Sequence, residues 1–274
     1  MRSFSQVDVF SSEPLLGNPV AVVHGADGLS DEQMATFARW TNLSETTFLL
    51  EPTHPDADYR LRIFTPGLEL PFAGHPTIGS AHAWLEAGGQ PKTDGELVQE
   101  CGAGLVRLKR GERLAFAAPP LVRSGPVGDD DRARIVTSLR IDDAEVVDMA
   151  WADNGPGWVA VLLESAERVL ALEPDFVTMG GLDVGVVGPH DDMSDADVEV
   201  RAFCPDMGIG EDPVTGSLNA SIGQWLAGSR LPTSYVAAQG TAIGRRGRVH
   251  IDLDGDTLWV GGDALTTITG RVGL

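Results

Sequence analysis

The chain has 274 residues, 42% hydrophobic and 22% charged, the balance of an ordinary globular protein with material for one large domain or two small ones. Its net charge of −20 repels phosphate backbones and argues against nucleic acid as a partner, although helix N-termini can still supply local positive potential for an anionic substrate. No run of about 18 apolar residues spans a membrane, no apolar leader follows Met1-Arg2-Ser3-Phe4, and the two cysteines form no CxxC, so a cytoplasmic protein with reduced thiols and no membrane partner is expected.

In chain order, residues 6–10 and 20–23 read as strands. Ser30 then opens a helix through a capping box with Gln33, and Met34, Phe37, Ala38 and Thr41 follow one face. Strands follow at 46–50 and at Tyr59–Phe64, where apolar and polar residues alternate. A second helix opens at His75-Pro76-Thr77-Ile78-Gly79-Ser80, with Pro76 at its first position and Gly88-Gly89 as its stop. After a strand at Leu114–Ala117, the Pro/Gly-rich stretch 119–128 reads as a join, and Asp129-Asp130-Asp131 opens a helix whose dipole favours negative charge. Strands at 159–163 and 198–203 precede a further helix, with Asp212 as N-cap, Pro213 at the first position and Gly228 as the stop. Strands at 249–253 and 257–260 close the series.

Two of these stretches repeat. Phe64-Thr65-Pro66 followed by His75-Pro76-Thr77-Ile78-Gly79-Ser80 matches Phe203-Cys204-Pro205 followed by Asp212-Pro213-Val214-Thr215-Gly216-Ser217, about half the chain apart. Asn18-Pro19-Val20-Ala21-Val22 is echoed by Asn154-Gly155-Pro156-Gly157-Trp158-Val159-Ala160-Val161 at nearly the same offset. Two matches at a shared offset indicate duplication. Both motif helices are rich in small residues, as expected of a helix enclosed by a sheet. The expected fold is therefore α+β: two pseudo-symmetric, barrel-like lobes over 1–120 and 128–265, each a mixed, mostly antiparallel sheet around a central helix whose N-terminus faces a shared cleft.

Three polar segments interrupt the apolar scaffold. Taken singly, Glu45 is a surface carboxylate at a helix–strand junction, His75 an N-cap or packing residue, and Asp212 an N-cap. Duplication changes this reading, because it sets His75 and Asp212 at equivalent helix mouths, where free N–H groups can hold a substrate carboxylate. Thr215, Gly216 and Ser217 add N–H groups and hydroxyls nearby. Such a site can hold an acid and move a proton beside it. The six histidines carry no HExxH or matching carboxylates, so no metal is expected. The only lysines, Lys92 and Lys109, lie in polar, turn-like stretches and disfavour Schiff-base chemistry. Trp84 and Trp225 read as core anchors of the two motif helices.

The segments Asn42-Leu43-Ser44-Glu45-Thr46-Thr47-Phe48, Leu70-Pro71-Phe72-Ala73-Gly74-His75-Pro76-Thr77 and Gly210-Glu211-Asp212-Pro213-Val214-Thr215-Gly216-Ser217 resemble the PhzF-like phenazine-biosynthesis family. So do Val7-Asp8-Val9-Phe10, Gly17-Asn18-Pro19-Val20-Ala21-Val22, Asn154-Gly155-Pro156, Gln239-Gly240 and Gly244-Arg245, in family order over nearly the whole length. The resemblance implies a diaminopimelate epimerase-like fold, with the tail 266–274 against the first lobe, a homodimer, and a cofactor-independent isomerase. The family's best-known member shifts a proton in trans-2,3-dihydro-3-hydroxyanthranilate. By the same resemblance Glu45 is the general acid/base, and His75, Asp212 and Ser217 are catalytic polar groups. Gly74, Pro76, Thr77, Thr215 and Gly216 then line the substrate, a small carboxylate such as a dihydroaromatic or cyclic amino acid. To work in both directions Glu45 has to hold a proton part of the time, which burial or a neighbouring carboxylate such as Asp212 would favour. Gly74 stands where the epimerases carry a cysteine, which disfavours a two-thiol racemase. An amino-acid racemase or epimerase, or a non-catalytic ligand-binding relative, are the alternative readings. Leu218 departs from the smaller residue of the phenazine enzymes and is expected to reshape the pocket.

Overall fold

The computed structural model describes residues 1–205 and 209–274. The chain forms two compact units, one of Met1–Ala117 with Gly261–Leu274 and one of Ala118–Val260. The first unit contains β1 (Arg2–Val9), β2 (Asn18–Val23), α1 (Asp31–Thr41), β3 (Glu45–Leu50), β4 (Tyr59–Phe64), β5 (Glu69–Leu70), α2 (Gly74–Glu86), β6 (Glu96–Cys101), β7 (Gly104–Arg110) and β8 (Leu114–Ala117). The second contains β9 (Arg123–Pro126), α3 (Asp129–Leu139), β10 (Val146–Asp153), β11 (Trp158–Leu163), α4 (Ala166–Leu170), α5 (Phe176–Met179), β12 (Asp183–Pro189), β13 (Val198–Cys204), β14 (Ile209–Asp212), α6 (Gly216–Leu226), β15 (Ser234–Gln239) and β16 (Gly247–Asp254). β17 (Thr257–Gly262) leads the chain back to the first unit, where β18 (Ala264–Val272) pairs with β1.

The duplication read from short motifs extends to the strand pairing. In the first unit β18 runs antiparallel to β1, β1 antiparallel to β2, β2 parallel to β3, and β3 antiparallel to β4. β4 is then antiparallel to β5 and parallel to β6, and β6 is antiparallel to β7. The second unit repeats the same order of senses: β9 with β10, β10 with β11, parallel β11–β12, β12 with β13, β13 antiparallel to β14 and parallel to β15, and β15 with β16. The class is the expected one, a mixed α+β fold with two lobes.

Each sheet surrounds one buried helix. α2 packs on β1, β2, β3, β8 and β18, and α6 on β10, β11 and β16. Small residues make this possible. A Cβ on Gly79 of α2 would lie 2.4 Å from Val20 Cγ1 and 2.9 Å from Val9 Cγ2, stiff β-branched side chains that cannot swing aside. Gly79→Ala is therefore expected to destabilise the protein. About 1–3 kcal/mol of overpacking strain exceeds the roughly 1 kcal/mol of helix propensity that alanine recovers, so the urea midpoint should fall. The capping box of α1 forms as read, with Ser30 Oγ accepting from Gln33 N at 3.2 Å and Gln33 Oε1 accepting from Ser30 N at 2.9 Å.

The helix heads differ from the sequence reading. α2 begins at Gly74 after the N-cap Ala73, so Pro76 is its third residue, still within the turn whose N–H groups have no intrahelical acceptor. α6 begins only at Gly216, with Thr215 as N-cap; Asp212 ends β14, and Pro213 lies in the extended link. The physical reason is that Asp212 is held in the sheet opposite Ala202. Trp84 and Trp225 are half-buried rather than core residues.

Candidate functional site

In the first unit the structure brings Glu45 and His75 together. Glu45 is the first residue of β3, parallel to Val20 of β2, and is 7% exposed. It is not the surface carboxylate its position alone suggests. His75 is the second residue of α2, is 5% exposed, and places Nε2 3.4 Å from Glu45 Oε2. Burial pushes the His75 imidazole down to about 3, against a smaller opposing effect of its hydrogen bond to the Pro19 carbonyl. His75 is thus neutral near pH 7, and its contact with Glu45 is a carboxyl–imidazole neighbourhood rather than an ion pair. Asn18, buried at the start of β2, sets Nδ2 3.5 Å from His75 Nδ1. Asp8 braces that turn by accepting from Gly17 N at 3.1 Å.

The depressed His75 pKa has a consequence for stability. A protonated imidazole is favoured only in the unfolded chain, so stability is present above the ordinary value of 6.5 and is lost as pH falls toward about 3. His75→Gln is expected to flatten the pH dependence of the unfolding free energy in that window, by up to about 1.4 kcal/mol per pH unit. Urea titrations of both proteins at pH 7 and pH 4.5 check this.

In the second unit Asp212 is 9% exposed, and its Oδ2 accepts a hydrogen bond from Thr215 Oγ1 at 2.5 Å. Ser217, the second residue of α6, is half-buried and accepts from Trp158 Nε1 at 3.0 Å. Indole N–H can only donate, so the Ser217 hydroxyl hydrogen points away from Trp158. Asn154 Nδ2 donates to the Ser217 carbonyl at 2.9 Å. Its loop is folded by Asp153 Oδ1, which accepts from Gly155 N and Gly157 N at 2.7 Å each.

The two asparagine motifs that echo in the sequence therefore do the same thing: Asn18 reaches the second residue of α2, and Asn154 the second residue of α6. In the helix frame His75 corresponds to Ser217, not to Asp212 as the motif alignment suggests. Among the described residues neither Ala73 nor Thr215 caps its helix with a side chain, and neither helix has an acid in its first turn. α3 opens without a side-chain cap too, but carries Asp129, Asp130 and Asp131 there. The N–H groups of Gly74, His75, Gly216 and Ser217 stand at heads that favour an anion. Thr77 is buried in α2 and bonded to Gln99 at 3.1 Å, and Pro76 is buried beside it.

Gln99, Gln239, Asn18, Asn154 and Trp158 escaped the sequence reading as site residues. The repeated Asn-Pro and Asn-Gly-Pro steps were the available signal for the asparagines, and the Gln239-Gly240 step that for Gln239; Gln99 lies in a strand without punctuation. Leu218 is fully buried and points at Gly185 of β12, where a Cβ would lie 2.1 Å from its Cδ1. Neither Cys101 in β6 nor Cys204 in β13 lies at a head of α2 or α6.

The family model for phenazine biosynthesis-like protein, PhzC-PhzF, matches residues 7–270. The chain is 38% identical to antisense-enhancing sequence 1 of Schizosaccharomyces pombe, over 98% of each chain. It is 35% identical to the trans-2,3-dihydro-3-hydroxyanthranilate isomerase of Pseudomonas aeruginosa, over 93% of this chain and 91% of that one. The crystal structure of a phenazine biosynthesis protein of the PhzF family from Enterococcus faecalis superposes with a TM-score of 0.84 at 25% identity, covering 100% of this chain and 99% of the other. With a family model across nearly its full length and relatives named as isomerases, the chain belongs to the PhzC-PhzF phenazine biosynthesis-like family and is an isomerase.

Proposed function

We propose that the chain moves a double bond in a small carboxylate by a proton shift, with Glu45 as the single acid/base. The observation that carries this reading is the buried contact of Glu45 with a histidine that stays neutral. A protonated histidine would fix Glu45 as a permanent anion. A neutral imidazole leaves the carboxyl able to take and return one proton.

In the proposed step the Glu45 carboxylate removes a proton from a carbon next to a double bond. The C–H bond breaks, the carboxyl O–H forms, and the electron pair spreads over the allylic system. The carboxyl O–H exchanges with solvent, and the same carboxyl then delivers a proton to the far carbon, so that a new C–H bond forms and the double bond is shifted. Atoms and electrons balance without oxidant or reductant. The uncapped head of α2 beside Glu45 holds the carboxylate, and in the second unit Ser217 offers a hydroxyl donor and Asp212 an acceptor for polar groups of a substrate. Gly74, Pro76, Thr77, Thr215 and Gly216 shape the surroundings.

The name of the P. aeruginosa relative suggests trans-2,3-dihydro-3-hydroxyanthranilate, or a related cyclic amino acid, as the substrate. The test is proton NMR in deuterated water with that compound beside a panel of dihydroaromatic and cyclic amino acids. Deuterium at a new carbon with a displaced double bond is the expected result. Deuterium at an α-carbon with loss of optical purity would replace the isomerisation by racemisation.

A further inference from the structure

We propose that Gln239 is a positioning residue that sets the direction of the hydrogen bonds reaching Asp212, so that Asp212 is presented to the substrate as an acceptor. The inference rests on the reading that Asp212 meets a substrate donor, and it points to an ammonium or hydroxyl group as that donor.

Gln239 ends β15 and has no exposed surface. Its amide makes four hydrogen bonds. Oε1 accepts from Thr215 N at 2.9 Å and from Asn219 Nδ2 at 2.8 Å, while Nε2 donates to Thr215 Oγ1 at 2.9 Å and to the Asp212 carbonyl at 3.1 Å. Two partners fix the amide's orientation independently. A backbone N–H can only donate, so the atom facing Thr215 N is the oxygen. A backbone carbonyl can only accept, so the atom facing Asp212 O is the nitrogen. Thr215 Oγ1 therefore receives a hydrogen from Gln239, and its own single hydrogen goes to Asp212 Oδ2 at 2.5 Å. The order Gln239 to Thr215 to Asp212 runs one way, and the carboxylate oxygen at its end accepts.

The backbone is shaped for this contact. A Cβ on Gly240, whose φ is +88°, would lie 2.6 Å from the Pro213 carbonyl oxygen, and one on Gly247 would lie 2.5 Å from Val214 Cγ2. The turn after β15 is thus pressed onto the link that carries Thr215, which only glycine permits. The first unit also has a buried strand glutamine bonded to its motif helix. Gln99 lies in β6, which pairs parallel with β4 as β15 does with β13, and it donates from Nε2 to Thr77 Oγ1 of α2 at 3.1 Å. There Tyr59 OH donates to Gln99 Oε1 at 3.2 Å.

The test compares the full chain with Gln239→Glu, Thr215→Val and Thr215→Ser. Glutamate has the shape of glutamine but cannot donate from the position facing Thr215 Oγ1. Two signals are read: the slowly exchanging Thr215 hydroxyl proton by NMR, and the pH profile of kcat for deuterium uptake into trans-2,3-dihydro-3-hydroxyanthranilate. In Gln239→Glu the hydroxyl signal should disappear, and kcat should fall about 10- to 100-fold, the equivalent of one charge-assisted hydrogen bond. KM should change less, and the profile should move. Thr215→Val should behave alike, and Thr215→Ser, which keeps a hydroxyl between Gln239 and Asp212, should regain the hydroxyl signal and at least about tenfold of the kcat lost in Thr215→Val. A hydroxyl signal retained in Gln239→Glu overturns the proposal, as does its loss with kcat unchanged. If Gln239→Glu does not fold, Thr215→Val decides the kinetic question, and full activity there overturns the proposal. If the parent leaves that compound untouched, the substrate reading fails for it, while the NMR comparison still decides the direction of the bonds.

Discussion

Glu45→Gln is expected to lower the rate of deuterium uptake at least about 1,000-fold while leaving the protein folded. A positioned acid/base contributes roughly 100- to 10,000-fold, and here one group serves both halves of the reaction, so its removal takes away both transfers. Glutamine keeps the size and planar shape of the side chain, and it can still meet His75 across the 3.4 Å contact. It also removes a buried ionisable group, so the urea midpoint should hold or rise. Binding of substrate should persist, because the head of α2 is untouched. Turnover within tenfold of the parent would exclude Glu45 as the proton carrier and shift attention to Asp212.

Arg201→Ala should be the most destabilising single truncation in the second unit. Arg201 lies in β13 with 7% of its side chain exposed, and Glu211 in β14 with 8%. The two are joined through Nε to Oε1 at 3.0 Å and Nη2 to Oε2 at 2.7 Å. Nη1 also donates to the carbonyls of Val169 at 3.2 Å and Leu172 at 2.8 Å, and the guanidinium lies 5.0 Å from the Phe203 ring centre. Truncation leaves a buried carboxylate and two carbonyls without their donor, a change worth about 3–5 kcal/mol, or roughly 10 °C in Tm. Arg201→Lys keeps the charge but loses the fork, and should fall in between. Replacing both partners by leucine or methionine should recover much of the loss. The exposed pair Arg107–Glu96 offers a control, because solvent already serves both groups. A Tm for Arg201→Ala within 2 °C of the parent would remove the pair from any account of stability.

How much was legible in the sequence depended on whether the pattern of a stretch was set by burial on one face. Tyr59–Phe64 alternates because one face of β4 meets the core, and its bounds were read without error. β12 was not read from the sequence, where Gly185 and Gly188 interrupt its valines. In the structure they are sites of close approach, one for Leu218 of α6 and one for the Ser165 carbonyl. β7, with Arg107, Lys109 and Arg110 on a largely exposed strand, has no apolar face to announce it. The segments carrying Glu45, His75, Asp212 and Ser217 were found, because glycine, proline and small polar residues cluster there. Their pairing was not. The sequence repeat aligns His75 with Asp212, whereas hydrogen bonding in the sheet delays the start of α6 and aligns His75 with Ser217. A repeat in letters preserves turn chemistry, and turn chemistry does not fix where a helix starts.

The return of β18 to β1 has a consequence for how the chain comes to be folded. Arg2 pairs with Val272 and Ser3 with Arg271, so the first strand waits for a partner about 270 residues downstream. During synthesis the second unit, continuous from Ala118 to Val260, is made before β18. Throughout that interval β1 offers an unsatisfied edge to whatever is nearby. Contacts so distant in sequence close slowly, which makes the nascent first unit the stage at which chaperones and neighbouring chains have their opportunity.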